Sequence, residues 1–155
     1  MLRARLTLVA LAAAAVGLAG CATTVSVEPA ENANDPLCAE VSVRLPQTVD
    51  GEPRRWTDAQ ATAAWGEPTA AVILACGLEP PGPSTLTCRT VEGVDWLIDD
   101  SEAPNYRFTT FGRTPAVEVF LDYDRVSGAD VLREVATAVS QLPVDGQCTP
   151  RGADQ

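Results

Sequence analysis

The sequence of 155 residues contains no histidine and no lysine, and all 11 of its basic residues are arginine. Without imidazole there is no Ser-His-Asp or Cys-His relay and no histidine metal ligand. Without lysine there is no Schiff base and no phosphate-loop ammonium group. Catalysis by this chain would have to rest on carboxylates, tyrosines or a bound metal. No Cys-x-x-Cys pair occurs either, which argues against zinc and redox-active sites. No cofactor is expected.

Positive charge is scarce as well. The whole chain carries −10, and from residue 21 onward nine arginines face 21 acidic residues, a net −12. Such a domain is repelled by nucleic-acid phosphates and by anionic lipid headgroups, so neither is a plausible ligand. The bland meaning of the charge is a well-solvated surface.

What is present is most distinctive at the start. Arg3 and Arg5 precede an uncharged run over residues 6–17, which closes on Leu18-Ala19-Gly20-Cys21. A basic start, a short apolar core and small residues before a cut form an export signal. The run is about half the roughly 20 residues a bilayer-crossing helix needs. Leu-Ala-Gly-Cys resembles the lipobox of bacterial lipoproteins, which implies cleavage between Gly20 and Cys21 and lipidation of the Cys21 thiol. The expected location is the outer face of the cell membrane, reached through a lipid anchor.

Four cysteines remain, Cys38, Cys76, Cys88 and Cys148. An even number in an oxidising compartment predicts two structural disulfides, and spacing leaves three pairings open.

Residues 22–35 are polar and acidic and read as a flexible tether with a reach of about 20 Å. The folded domain is expected over residues 36–148, with a disordered tail over 149–155. Asp35-Pro36 is a helix start and Leu37, Val41 and Leu45 share a helical face; Val41, Val43 and Leu45 equally fit a strand, and the cap with Pro46 favours the helix. Residues 47–55 read as an exposed connection, and the alanine-rich stretch 56–65 as a short helix. Residues 70–77 form the most continuous apolar run and predict a buried central strand. Two hairpins follow, 85–91 with 94–98 around Glu92-Gly93, and 106–111 with 116–121, separated by an acidic loop over 99–105. Ser127 caps a helix to Leu142 whose apolar face holds Val131, Leu132, Val135 and Val139. The expectation is one small α+β domain: a mainly antiparallel sheet of about five strands, two helices covering one face, and two disulfides.

Trp56, Trp65 and Trp96 suit either a glycan-stacking platform or core packing, and the turn residues beside two of them favour packing. Asp95, Asp99, Asp100 and Glu102 have no EF-hand spacing, so a solvated acidic loop is preferred to a calcium site or a glycosidase pair. Arg54, Arg55 and Arg113 more simply neutralise neighbouring acids than hold a ligand. As a ligand surface, Trp65, Trp96, Asp95 and Arg113 are the candidates.

Several words occur in a fixed order: Cys38, Leu45-Pro46, Ala64-Trp65-Gly66-Glu67-Pro68, Cys76-Gly77, Val91-x-Gly93-Val94-Asp95-Trp96 and Phe111-Gly112-Arg113. Together they resemble the actinobacterial secreted and lipoprotein family catalogued as domain of unknown function 3515. Ala75 stands where that family usually has a basic residue before the second cysteine. The resemblance implies an envelope location, one compact domain, and pairing of Cys38 with Cys76 and of Cys88 with Cys148. It brings no catalytic residues. The expected role is a non-enzymatic accessory, binding or scaffolding part of the actinobacterial envelope with a protein or glycan partner. The rivals are a carboxylate-dependent hydrolase of wall glycan or peptide and a small-ligand carrier.

Overall fold

The computed structural model describes residues 24–149. Gly20, Cys21 and the apolar leader, as well as residues 150–155, lie outside the described residues. Eight strands form one antiparallel sheet in the order β1-β2-β3-β4-β8-β7-β6-β5. They are β1 (Thr48–Val49), β2 (Glu52–Arg55), β3 (Thr62–Trp65), β4 (Val72–Leu78), β5 (Thr87–Val91), β6 (Val94–Glu102), β7 (Asn105–Thr110) and β8 (Ala116–Asp122). Among the described residues two helices, α1 (Pro36–Ser42) and α2 (Gly128–Val139), complete the domain.

The α+β class, the antiparallel sheet, the two helices and the two disulfides agree with the sequence; the count of five strands does not. Three strands were missed, all before the apolar run. Asp50-Gly51, both at positive φ, turns β1 into β2 where an exposed connection was expected. The stretch expected as a helix over 56–65 ends instead in β3, whose four residues are all buried. Alanine's helix propensity loses there because Ala63 opposite Leu74, and Trp65 opposite Val72, complete a buried sheet face. The acidic loop over 99–105 is also corrected: β6 continues through Asp99 to Glu102, supported by Arg107 on β7.

One face of the sheet carries the core. In-register rows such as Ala63-Leu74-Val119-Phe108 and Trp65-Val72-Leu121 cross four and three strands. Val41 of α1 and Val131, Leu132, Val135 and Val139 of α2 join the same buried cluster. Asp35 caps α1 by accepting the Leu37 N–H at 2.8 Å, and Ser127 caps α2. The opposite face is partly polar: Arg107 lies over the Phe120 ring at 4.9 Å and bonds Glu118 at 3.1 Å. Cys38–Cys76 ties α1 to the central strand β4, and Cys88–Cys148 ties the C-terminal segment to the edge strand β5.

The flexible tether is a further correction. From Thr24 the segment lies against the sheet rather than hanging free. Val25 N–H donates to the Trp56 carbonyl at 2.8 Å, and Asn32 N–H donates to the Gly77 carbonyl at 2.9 Å. Gly77 has φ +108, and a Cβ there would lie 2.5 Å from the Asn32 carbonyl carbon and oxygen. Thr24-Val25-Ser26-Val27 alternates exposed and half-buried, the period of a strand-like strip on a sheet.

Candidate functional site

The tryptophans do not form a platform. Trp65 and Trp96 are fully buried, whereas Trp56 is 78% exposed. Trp65 donates its indole N–H to the Pro46 carbonyl at 3.1 Å. The Trp96 indole nitrogen is buried and has no hydrogen-bond partner among the described residues. Asp95 and Arg113 do come together, but around the chain's own C-terminal segment. Asp95 accepts the Thr90 hydroxyl and the Cys148 N–H, each at 2.6 Å. Arg113 donates to the Leu142 carbonyl at 2.7 Å and the Gly93 carbonyl at 3.1 Å. Burial lowers the Arg113 pKa, and the nearby Asp95 charge acts against that shift. The ligand surface expected from Trp65, Trp96, Asp95 and Arg113 is therefore two core rings and a structural clasp.

The clasp continues at Gly112, whose carbonyl accepts the N–H groups of Asp145 and Gly146. A Cβ at Gly112, where φ is +66, would stand 2.0 Å from the Gly146 carbonyl oxygen. Thr114 adds its hydroxyl to Asp145 at 2.7 Å. Residues 142–148 are thus drawn across the end of the sheet towards Cys88.

Where that segment meets β5, it opens a groove of about 980 Å³. Leu97 and Phe111 supply apolar floor, Leu86 an apolar rim, and Thr87, Arg89 and Thr90 polar groups along the strand. Cys148 and Thr149 complete its lining. β5 is the last strand of the sheet, so its outer side has no strand neighbour among the described residues. Among the described residues that line it there is no Asp or Glu.

The acidic residues Asp95, Asp99, Asp100 and Glu102 lie along β6 and do not converge. Asp95 and Asp99 are about 13 Å apart along the strand at its usual rise. Among the described residues no group of three His, Cys, Asp or Glu side chains is placed to hold a metal ion. Arg54 and Arg55 reach backbone carbonyls, Arg54 that of Leu45 and Arg55 those of Gly66 and Pro68. Ser127 is a helix cap.

Sequence reading overlooked the groove residues Leu86, Arg89 and Phe111. Their one sequence signal was indirect: pairing Cys88 with Cys148 obliges the C-terminal segment to lie beside β5.

The fold and groove define a disulfide-stapled α+β domain with a polar-and-apolar cleft at an open sheet edge. The chain belongs to the DUF3515 family, described as a protein of unknown function, which it matches over residues 3–145. No curated protein and no solved structure matches it. Among the described residues no helix is long and apolar enough to cross a membrane.

Proposed function

We propose that this protein is a lipid-anchored, non-enzymatic binding domain of the actinobacterial cell envelope. Cys21 holds it on the outer face of the cytoplasmic membrane, and the β5 groove receives an extended segment of an envelope protein. The observation that carries the reading is the groove itself, a cleft of about 980 Å³ against a strand whose outer side lacks a strand neighbour among the described residues. An extended peptide on such an edge gains main-chain hydrogen bonds, while Leu97, Phe111 and Leu86 offer apolar contacts and Arg89 a charged one. The lack of carboxylates among the described lining residues favours binding over acid–base hydrolysis. The basic, apolar and small-residue layout ending in Cys21 supports the anchor.

The test is site-specific photocrosslinking on intact cells, with a photoreactive residue at Arg89 and a control at Glu134 on α2. Lysine-directed reagents cannot label this chain. One recurrent protein captured from position 89 alone, and lost when Leu97 is replaced by Arg, is the expected result. Identical products from both positions, or none from either, would reject the groove as the binding place. Replacing Cys21 by Ala should abolish lipid-dependent membrane fractionation; unchanged fractionation would reject the anchor.

A further inference from the structure

Trp56 is an exposed indole on a rigid piece of backbone. Its carbonyl accepts the Val25 N–H at 2.8 Å, and Asp58 N–H returns a bond to the Val25 carbonyl at 3.3 Å. The two segments are thus bridged in parallel, Val25 beside Thr57. Alternation in extended chain turns half-buried Thr57 inward and exposed Trp56 and Asp58 outward. Asp58 is itself fastened to the same strip, accepting the Ser26 hydroxyl at 2.7 Å and the Val27 N–H at 2.9 Å.

This bridge lies close in sequence to Cys21. Val25 follows Cys21 by four residues, and a fully extended chain covers at most about 3.6 Å per residue. The link is therefore no longer than about 14 Å, shorter than the reach of about 20 Å that a 14-residue flexible tether would have. Docking of the N-terminal strip removes nearly all the slack between anchor and domain.

We propose that Trp56 is a membrane-interface contact: with Cys21 lipidated, the domain rests on the phospholipid headgroups at its Val25–Trp56 corner, with the indole at headgroup depth. This rests on the lipid-anchor reading above. Indole is the side chain best suited to that layer, because its body is apolar and its N–H stays hydrated. The neighbouring Asp58 carboxylate stops the corner from sinking below the headgroups. A net charge of −12 on the chain from residue 21 disfavours a broad electrostatic footprint, so contact is confined to the corner. The geometry also orients the groove. β5 is six strand positions from β2, roughly 28 Å at the usual spacing, so the binding edge is held away from the bilayer.

The experiment uses the lipidated protein purified from its own membranes and placed in vesicles of dioleoylphosphatidylcholine or its dibrominated counterpart. Trp65 and Trp96 are buried in the core, so subtracting the emission of a Trp56→Phe variant isolates Trp56. Bromine on the acyl chains should quench the Trp56 component relative to the unbrominated vesicles, because an interfacial indole lies against the upper acyl segments. Equal Trp56 emission in the two vesicles, with mass spectrometry showing acylated Cys21, would overturn the contact and leave the anchor intact. An unmodified Cys21 would overturn the anchor and the contact together.

Discussion

The Asp95 carboxylate accepts the backbone N–H of Cys148 at 2.6 Å, next to the disulfide that the same cysteine makes with Cys88. One half-buried acid on β6 therefore orders the segment that lines the groove. Asp95→Ala leaves that N–H and the Thr90 hydroxyl without their acceptor. The expected cost is about 1–3 kcal/mol in a denaturant unfolding curve, with the loss concentrated in exchange protection of residues 145–148. Unaltered protection there would show that the disulfide and the Gly112 carbonyl hold the segment without Asp95.

The two core indoles should respond unequally to the same substitution. Trp65→Phe removes ring volume and strands the Pro46 carbonyl, whereas Trp96→Phe removes ring volume together with an N–H that has no partner among the described residues. Trp65→Phe is expected to be the more destabilising by about 1–2 kcal/mol, measured by chemical denaturation of both variants.

Removal of residues before Asp35 should lower thermal stability. The strip contributes backbone bonds at Val25 and Asn32 and the buried Ala33, and its loss should lower Tm by about 4 °C or more. Gly77→Ala provides an independent check, since the added Cβ collides with the Asn32 backbone at a positive φ. That variant is expected to lose about 2 kcal/mol or more and to expose the Asn32 amide to rapid hydrogen exchange.

Docking of the strip should also depend on pH. The Val27 N–H and then the Ser26 hydroxyl hold the Asp58 carboxyl below its ordinary pKa. A folded pKa below the unfolded value near 3.9 stabilises the docked state above that pH. The contribution disappears as pH falls through the folded pKa. Exchange of the Val27 amide should therefore be slow at neutral pH and accelerate, relative to the intrinsic rate, below about pH 4. Asp58→Asn should flatten that dependence; an unchanged profile would assign it to another group.

The two disulfides should separate under mild reduction. Cys38 and Cys76 are fully buried, while Cys88 and Cys148 are only partly covered. A thiol reductant is expected to open Cys88–Cys148 first, leaving Cys38–Cys76 closed until the core unfolds. Mass mapping of trapped thiols checks the order. Loop closures of 38 and 60 residues correspond to about 4 kcal/mol each in the chain-entropy account.

Local chemistry was enough to read several elements from sequence. Asp35-Pro36 begins α1, Ser127 caps α2, and Glu92-Gly93 turns β5 into β6, because caps and tight turns depend on a few adjacent residues. The apolar run over 70–77 is the internal strand β4, although only one of its faces is fully buried and Ile73 and Ala75 on the other are half-buried. The resemblance to DUF3515 implied both disulfide pairings, which the structure shows.

Tertiary packing decided the rest. Thr62-Ala63-Ala64-Trp65 is a strand because its small side chains fit against β4, a partner that local propensity does not contain. Residues 24–33 are polar enough to read as a tether, yet their backbone groups find Trp56 and Gly77 only after the sheet exists. For Trp65 and Trp96 the neighbouring turn residues favoured packing over a platform, and burial assigned both to the core. The groove belongs wholly to this second level. Leu86, Leu97, Phe111 and Cys148 are spread over 62 residues, and only an edge strand and a long-range disulfide bring them to one surface. Composition by itself could limit the chemistry of this protein through the absence of His and Lys, since a missing side chain is missing in every conformation. The place where a partner fits required long-range contacts, because it is made of residues that are neighbours only in the folded chain.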